Sequence, residues 1–407
     1  MFGLLQDLRV IEGASFIAGP SCGLHLAQMG AEVIRFDQIG GGPDFKRWPL
    51  QQPGGASLYW EGLNKGKKSI ALDLNRPQGR ELAVALASAP GERAGLFITN
   101  FPLRGFLSYD NLSAKRPDLI CLRVMGWADG TPAVDYTVNN AVGVPLMTGP
   151  PQLEGPVNHV LPAWDLLAGA YGAFAMLAAE RDRRQHGKGR HLQLALSDLA
   201  AATLGNLGQV AEVLHSGDRP RIGNDLFGAF GRDFLTSDGQ RLMVVAITGR
   251  QWTGLVSACA LQEAVARLEQ ELSVSFGDEG MRFIHRQRLT PLFEAAIAAQ
   301  SVREWAVAFD ANGVCWSQYQ TLGEAVRRDS KLFTANPLFS TVSQPSGMSY
   351  PAPGAAVRIA GESRSPAAAA PRLGEHTDQV LSEVLGLSGA QIGHLHDAAV
   401  IAGPTNS

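Results

Sequence analysis

The segment LRVIEGASFIAGPSCGLHLAQMGAEVIRFD, Leu8–Asp37, decides how the chain is read. A short β-branched run ends in a Gly/Pro turn, a stretch with helical spacing of apolar residues follows, and a second apolar run closes on Asp37. That succession is the pattern of a strand, a covering helix and a second strand. It recurs in KSIALDL (Lys68–Leu74), GLFITNF (Gly95–Phe101) and LICLRVMG (Leu119–Gly126), with RPQGRELAVALASA and YDNLSAKRP between them. The first 125 or so residues are therefore expected to form a parallel sheet covered by helices.

Beyond it, Ala163 to Gln185 and about Leu192 to Leu214 read as Ala/Leu-rich helices. FLTSDGQRLMVVAI reads as a hairpin turning at Ser237-Asp238-Gly239. It opens a stretch of helices to about Val326, and Pro345 to Pro371 reads as an extended crossing segment ahead of the helical EHTDQVLSEVLGL. The division is 1–215 for the N-terminal part of a large α/β domain, 225–326 for a small α+β domain, and 327–407 for the crossing segment and C-terminal part.

A chain of 407 residues, 45% hydrophobic, is large enough to enclose an active site. With 35 basic against 38 acidic residues it has no field to hold nucleic acid or an anionic membrane. Cys22, Cys121, Cys259 and Cys315 are far apart, which signals neither a disulfide framework nor a metal site; they read as reduced core residues. The N-terminus lacks the layout of a secretion signal, and no apolar run is long enough to cross a bilayer, so a cytoplasmic protein is expected.

The first turn carries Gly13, Gly19 and Gly23, which do not make the G-x-G-x-x-G dinucleotide fingerprint, although Asp37 ends the second strand. GLNKGKKS (Gly62–Ser69) has one residue too few for a phosphate loop and precedes a strand. It is either a surface turn with solvated lysines or a cationic patch for a phosphorylated ligand. Asp165 is the lone acid in PAWDLLAG. Pro162 marks the first helical position, which places Asp165 in the first turn, where the helix dipole keeps a carboxylate ionised. Either it caps that helix, or, with Trp164, Leu166 and Leu167 making the surroundings apolar, it is a desolvated nucleophile.

Leu8–Asp37, NKGKKSIALDLNRPQGRELAVAL, FITNFP, the PAWDLLAG helix, the hairpin and APRLGEHTDQVLSEVLGL, in that order over nearly the whole chain, resemble the class III CoA-transferase family. The resemblance implies an interlocked homodimer, each subunit having a Rossmann-like large domain built from both chain ends and a smaller domain between. It also implies an acyl-CoA substrate, no cofactor beyond the CoA moiety, and an aspartyl-CoA thioester on Asp165. By the same likeness CoA is expected at Ile17 and Ala18 of the first turn, at Leu72, and at Asn100 and Phe101. Gln38 stands where many members have arginine, and Arg35 or Lys65, Lys67 and Lys68 are expected to replace it at the nucleotide end.

TPAVDYTVNN lacks the histidine that the family's racemases place ahead of the aspartate, which argues against racemisation, since that needs two acid/base groups. His159 is either a replacement or structural. FDQIGGGPDFKRWP, YWEGLNKGKKS, VNHVLPAWD and GNDLFGAFGRDF look like the branch that shifts CoA between the two carboxyls of one C5 unsaturated diacid. The rivals are an intermolecular transferase and a non-catalytic CoA-binding scaffold. Backbone amides from Gly228 to Gly231, including Phe230, either serve as oxyanion donors or only shape a turn. Arg232 either binds the free carboxylate or forms a surface ion pair. Trp48, Tyr59, Trp60, Phe227 and Phe230 are either pocket walls or core.

Overall fold

A computed structural model describes residues 1–405. The chain folds as two compact units. The first takes residues 1–142, 159–211 and the segment from Asn336 onward, and the second takes 143–158 and 212–335.

The first unit is built on a sheet of seven strands. Six are parallel: β1 (Arg9–Gly13), β2 (Glu32–Gln38), β3 (Lys68–Leu72), β4 (Leu96–Thr99), β5 (Ile120–Met125) and β6 (Arg190–Ala195). The order is β3-β2-β1-β4-β5-β6, and the short strand Ile401–Ala402 adds antiparallel to β3, with Ile401 opposite Leu72. These strands read as continuous apolar runs because a sheet covered on both faces buries every side chain. Val10, Ile34, Phe36, Ile70, Phe97 and Ile98 are buried accordingly, each fully buried side chain of this size contributing about 1.5–3 kcal/mol. On one face they meet Val84 and Leu86 of the Pro77–Ala87 helix and Val380 and Leu381 of the Thr377–Leu385 helix.

β6 corrects the expectation of a helix from Leu192. HLQLALSD has good helix formers, but pairing of Leu192 and Leu194 with Leu122 and Val124 on β5 overrides local propensity, and the helix begins only at Leu196. In the crossing segment Ser349–Pro353 pairs antiparallel with Phe339–Ser343, and an irregular stretch follows.

Two helices flank the first turn. Ala18–Gln28 starts directly after it, and Ala163–His186 packs across it. The close approach rests on Gly169: a Cβ there would lie 2.0 Å from Ser21 Oγ, so no larger residue fits without displacing the first helix.

The second unit has its own core. Strands Phe230–Leu235, Arg241–Ala246 and Cys315–Gln318 form an antiparallel sheet, the first two joined at the Ser237-Asp238-Gly239 turn, and Phe230, Phe234, Trp252, Phe293, Trp305 and Phe309 pack on it. Cys22, Cys121 and Cys259 are buried, whereas Cys315 is exposed on the last of those strands, a correction to its expected place in the core. Among the described residues no helix is long and apolar enough to cross a membrane.

Candidate active site

The Ala163–His186 helix begins after Pro162, which has no side chain to cap the free amides. Another acid takes that part. Asp135, buried in the first turn of the Asp135–Ala141 helix, accepts the N–H groups of Trp164 (2.7 Å) and Asp165 (3.1 Å) on Oδ2. Its Oδ1 lies 2.7 Å from His159 Nε2, and the Trp164 indole donates to Asn139. His159 is thereby held by Asp135 and, edge-on, by the Tyr136 ring.

Relieved of capping, the Asp165 carboxyl faces a cavity of about 650 Å³, a size suited to a small-molecule site. Burial and, second, the Asp135 charge push it up to about 7, with Arg47 partly offsetting both. The expected permanently ionised carboxylate is corrected: the dipole end that would have stabilised it is taken by Asp135, whose charge opposes it. Leu166 and Leu167 are exposed in the chain, so the apolar surroundings come instead from residues such as Ile17, Ala18, Val134 and Leu196.

The first turn forms one wall. Ser15 donates its N–H to Asn100 Oδ1 (3.0 Å), and Asn100 Nδ2 donates back to Ser15 O (2.8 Å). Phe16, at φ 68°, donates its N–H to Asp44 Oδ2 (3.0 Å). These three bonds hold the turn, because a non-glycine residue in the left-handed region is strained and persists only where its surroundings fix it. Ile17, Ala18, Asn100 and Asp165 thus share one cavity. Phe101 packs, partly buried, on the sheet core, and Leu72 lies fully inside it.

The basic residues expected at the nucleotide end are engaged elsewhere. Arg35 is 1% exposed, binds Asp37 and Asp44 through 2.8–2.9 Å hydrogen bonds, and also reaches Asn64. Lys67 is buried against Glu12 (2.8 Å) and Pro20 O, and Lys65 folds back onto Gly62 O. Burial pushes Lys65 down to about 8. Lys68 pairs with Glu32 and Glu383. GLNKGKKS is thus neither a solvated turn nor an open cationic patch: Lys67 and Lys68 neutralise acids of β1, β2 and the Thr377–Leu385 helix, and Lys65 is tied to a backbone carbonyl, none of which a sequence spacing can reveal. Gln38 bridges Asp73 and Leu74 N–H.

Gly228, Phe230, Gly231 and Arg232 belong to the second unit. Gly228, at φ 81°, makes the turn before the strand, closed by Leu226 N–H to Gly231 O (2.7 Å). The Phe230 ring is core, against Trp252 and Phe293. Arg232 reaches Thr290 Oγ1 (3.3 Å) and Asp225 (3.7 Å), an internal pairing rather than one with Asp233, which binds Arg241. Phe227 lies under Arg219 and beside Phe283. Of the aromatic candidates for a pocket wall, Tyr59 lines the cavity, Trp60 is core and Trp48 is 67% exposed. Sequence reasoning missed Arg47 and Arg123, which line the cavity; a basic residue in a Gly/Pro loop and one inside a strand carry no motif.

The site is thus a cavity into which one carboxyl, that of Asp165, is turned without capping its own helix. The chain belongs to CoA-transferase family III, whose model matches residues 5–377. It is 50% identical to the 2-methylfumaryl-CoA isomerase of Chloroflexus aurantiacus, over 99% of both chains. It is 26% identical, over 98% of both, to the succinyl-CoA–L-malate CoA-transferase beta subunit of the same organism. Among solved structures, a CaiB/BaiF family protein from Brucella suis superposes with a TM-score of 0.75 at 26% identity, covering 93% of this chain and 99% of that one.

Proposed function

We infer that the protein is an intramolecular CoA transferase that moves CoA from the C1 to the C4 carboxyl of 2-methylfumarate, with Asp165 as the covalent carrier. The observation that carries this reading is the 50% identity to the isomerase along the full length, against 26% to the intermolecular transferase. The free Asp165 carboxyl lining a cavity supplies the chemistry.

The ionised carboxyl of Asp165 attacks the C1 thioester carbonyl and expels CoA thiolate, leaving a mixed anhydride. The thiolate attacks the aspartyl carbonyl of that anhydride, breaks its C–O bond and frees the diacid, so that CoA rests on Asp165. The C4 carboxylate then attacks the aspartyl thioester and expels thiolate again. Attack of the thiolate on the C4 carbonyl yields 3-methylfumaryl-CoA and restores Asp165. No proton is gained or lost over the cycle. Partial desolvation raises the nucleophilicity of the carboxylate, at the expense of the ionised fraction near neutral pH.

The thioester arm enters past Ile17 and Ala18, with Asn100 holding their turn. The working form is a homodimer in the cytoplasm; the exposed Val160, Leu161, Tyr171 and Phe174 around the site helix support a covering partner. The test is incubation with the C1 thioester of 2-methylfumarate and chromatographic analysis of the ester formed. Appearance of the C4 isomer without added acid supports the reading. Conversion only when a second acid is supplied leaves an intermolecular transferase instead.

A further inference from the structure

While CoA rests on Asp165, the proposed reaction keeps a small dianion in the cavity, and a dianion held there needs a counter-charge. Two basic side chains line that cavity, Arg47 and Arg123. Neither makes an ion pair with an acid among the described residues, in contrast to Arg35, which neutralises three. The two differ in reach. The Arg47 charge bears on Asp165 and Tyr59, whereas that of Arg123 bears on Cys121 and His191.

Arg47 is also pre-positioned. Its guanidinium carbon lies 5.5 Å from the Phe16 ring centroid and 5.6 Å from that of Tyr59, an arrangement that uses ring faces and leaves the N–H edge to an anion. Its backbone is tied at both ends: the N–H donates to Asp44 O (3.1 Å), and the carbonyl accepts from Ser57 Oγ (2.5 Å). Asp44 in turn is clamped by buried Arg35 and binds the Phe16 amide. One buried network therefore sets both the strained first turn and the loop that presents Arg47.

We propose that Arg47 is the specificity-determining residue that holds the non-reacting carboxylate of the diacid while its other carboxyl reacts at Asp165. This rests on the reading of function above. With C1 bonded to Asp165, the C4 carboxylate sits on the guanidinium. Once CoA has moved to Asp165, the diacid turns end for end, C1 takes the place on Arg47, and C4 attacks. One cation serves both ends because the two carboxylates are chemically alike, and loss of the diacid to solvent requires breaking a charge-assisted pair.

The experiment compares R47M and R47K with the wild type on two substrates: 2-methylfumaryl-CoA, and 2-methylbut-2-enoyl-CoA, in which a methyl replaces the distal carboxylate. Single-turnover formation of the Asp165–CoA thioester is followed by intact-protein mass spectrometry, after a melting curve shows each variant folded. The expected result is a diacid-to-monoacid rate ratio about ten- to a hundredfold lower in R47M, partial recovery in R47K, and entry of labelled free 2-methylfumarate into the ester pool of R47M alone. An unchanged ratio, or equal loss on both substrates, overturns the proposal. If R47M does not fold, the same ratio in R47K decides by the same criteria. Failure of the functional reading is distinguishable, because it appears in the wild type: thioester formation on Asp165 without isomerisation.

Discussion

Asp135 and Asp165 share one helix terminus. Asp135 Oδ2 accepts the Asp165 backbone N–H at 3.1 Å, and its charge raises the Asp165 side chain. The acid that caps the helix is thus also the one that restrains its neighbour's ionisation, so the Asp165 carboxyl is tuned by a residue 30 positions away.

In the proposed reaction only the ionised carboxyl attacks, so the rate of Asp165–CoA thioester formation is expected to rise with pH and level off above about 7. D135N keeps an oxygen acceptor for the two amides and removes the charge. Its acid limb should move to lower pH without reaching the usual carboxylate value, because burial, the larger cause, remains. A profile that does not move would remove Asp135 from the account.

D165N should stay folded, bind CoA, and lose isomerisation by at least about 10³-fold, the loss common for a covalent nucleophile. Stability gives a second check. An acid raised on folding stabilises the protein below its unfolded value and loses that contribution as pH rises through the folded one, here between 3.8 and about 7. D165N should therefore melt above the wild type at pH 8, with the gap narrowing towards pH 5. A wild type as stable as D165N at pH 8 would contradict the buried environment.

Labelled 2-methylfumarate, succinate or acetate added during wild-type turnover should not enter the CoA ester pool. A retained carboxylate acts at an effective concentration of up to roughly 10⁵ M, far above any free acid. Incorporation at a rate comparable to isomerisation would favour an intermolecular transferase.

Lys67 and Glu12 form a buried pair at 2.8 Å, and burial pushes the lysine down and the glutamate up while each favours the other's charged form. K67M leaves Glu12 without its closest counter-charge and should cost about 3–5 kcal/mol in denaturant unfolding, with part regained in E12Q/K67M. A cost below about 1 kcal/mol would mean the pair is replaced by water or by Arg35.

Asn100 bonds both backbone groups of Ser15. N100L should loosen the first turn and raise KM about tenfold with a smaller effect on kcat, as loss of uniform binding does. A fall confined to kcat would place Asn100 at the reacting centre instead.

By itself the sequence determined β1 to β5, the Ser237-Asp238-Gly239 hairpin and the place of Asp165 in the first turn of its helix, because periodicity and turn chemistry are local properties. β6 was not legible, since Arg190–Ala195 becomes a strand only beside β5. Only the tertiary structure decided which charges are spent and which are free. Lys67 meets Glu12 from 55 positions away, Arg35 is consumed by Asp37 and Asp44, and Arg47, which forms no ion pair among the described residues, is left facing the cavity. The physical reason is that ionisation and pairing depend on burial and on separations of a few ångströms in space, and neither is a function of spacing along the chain.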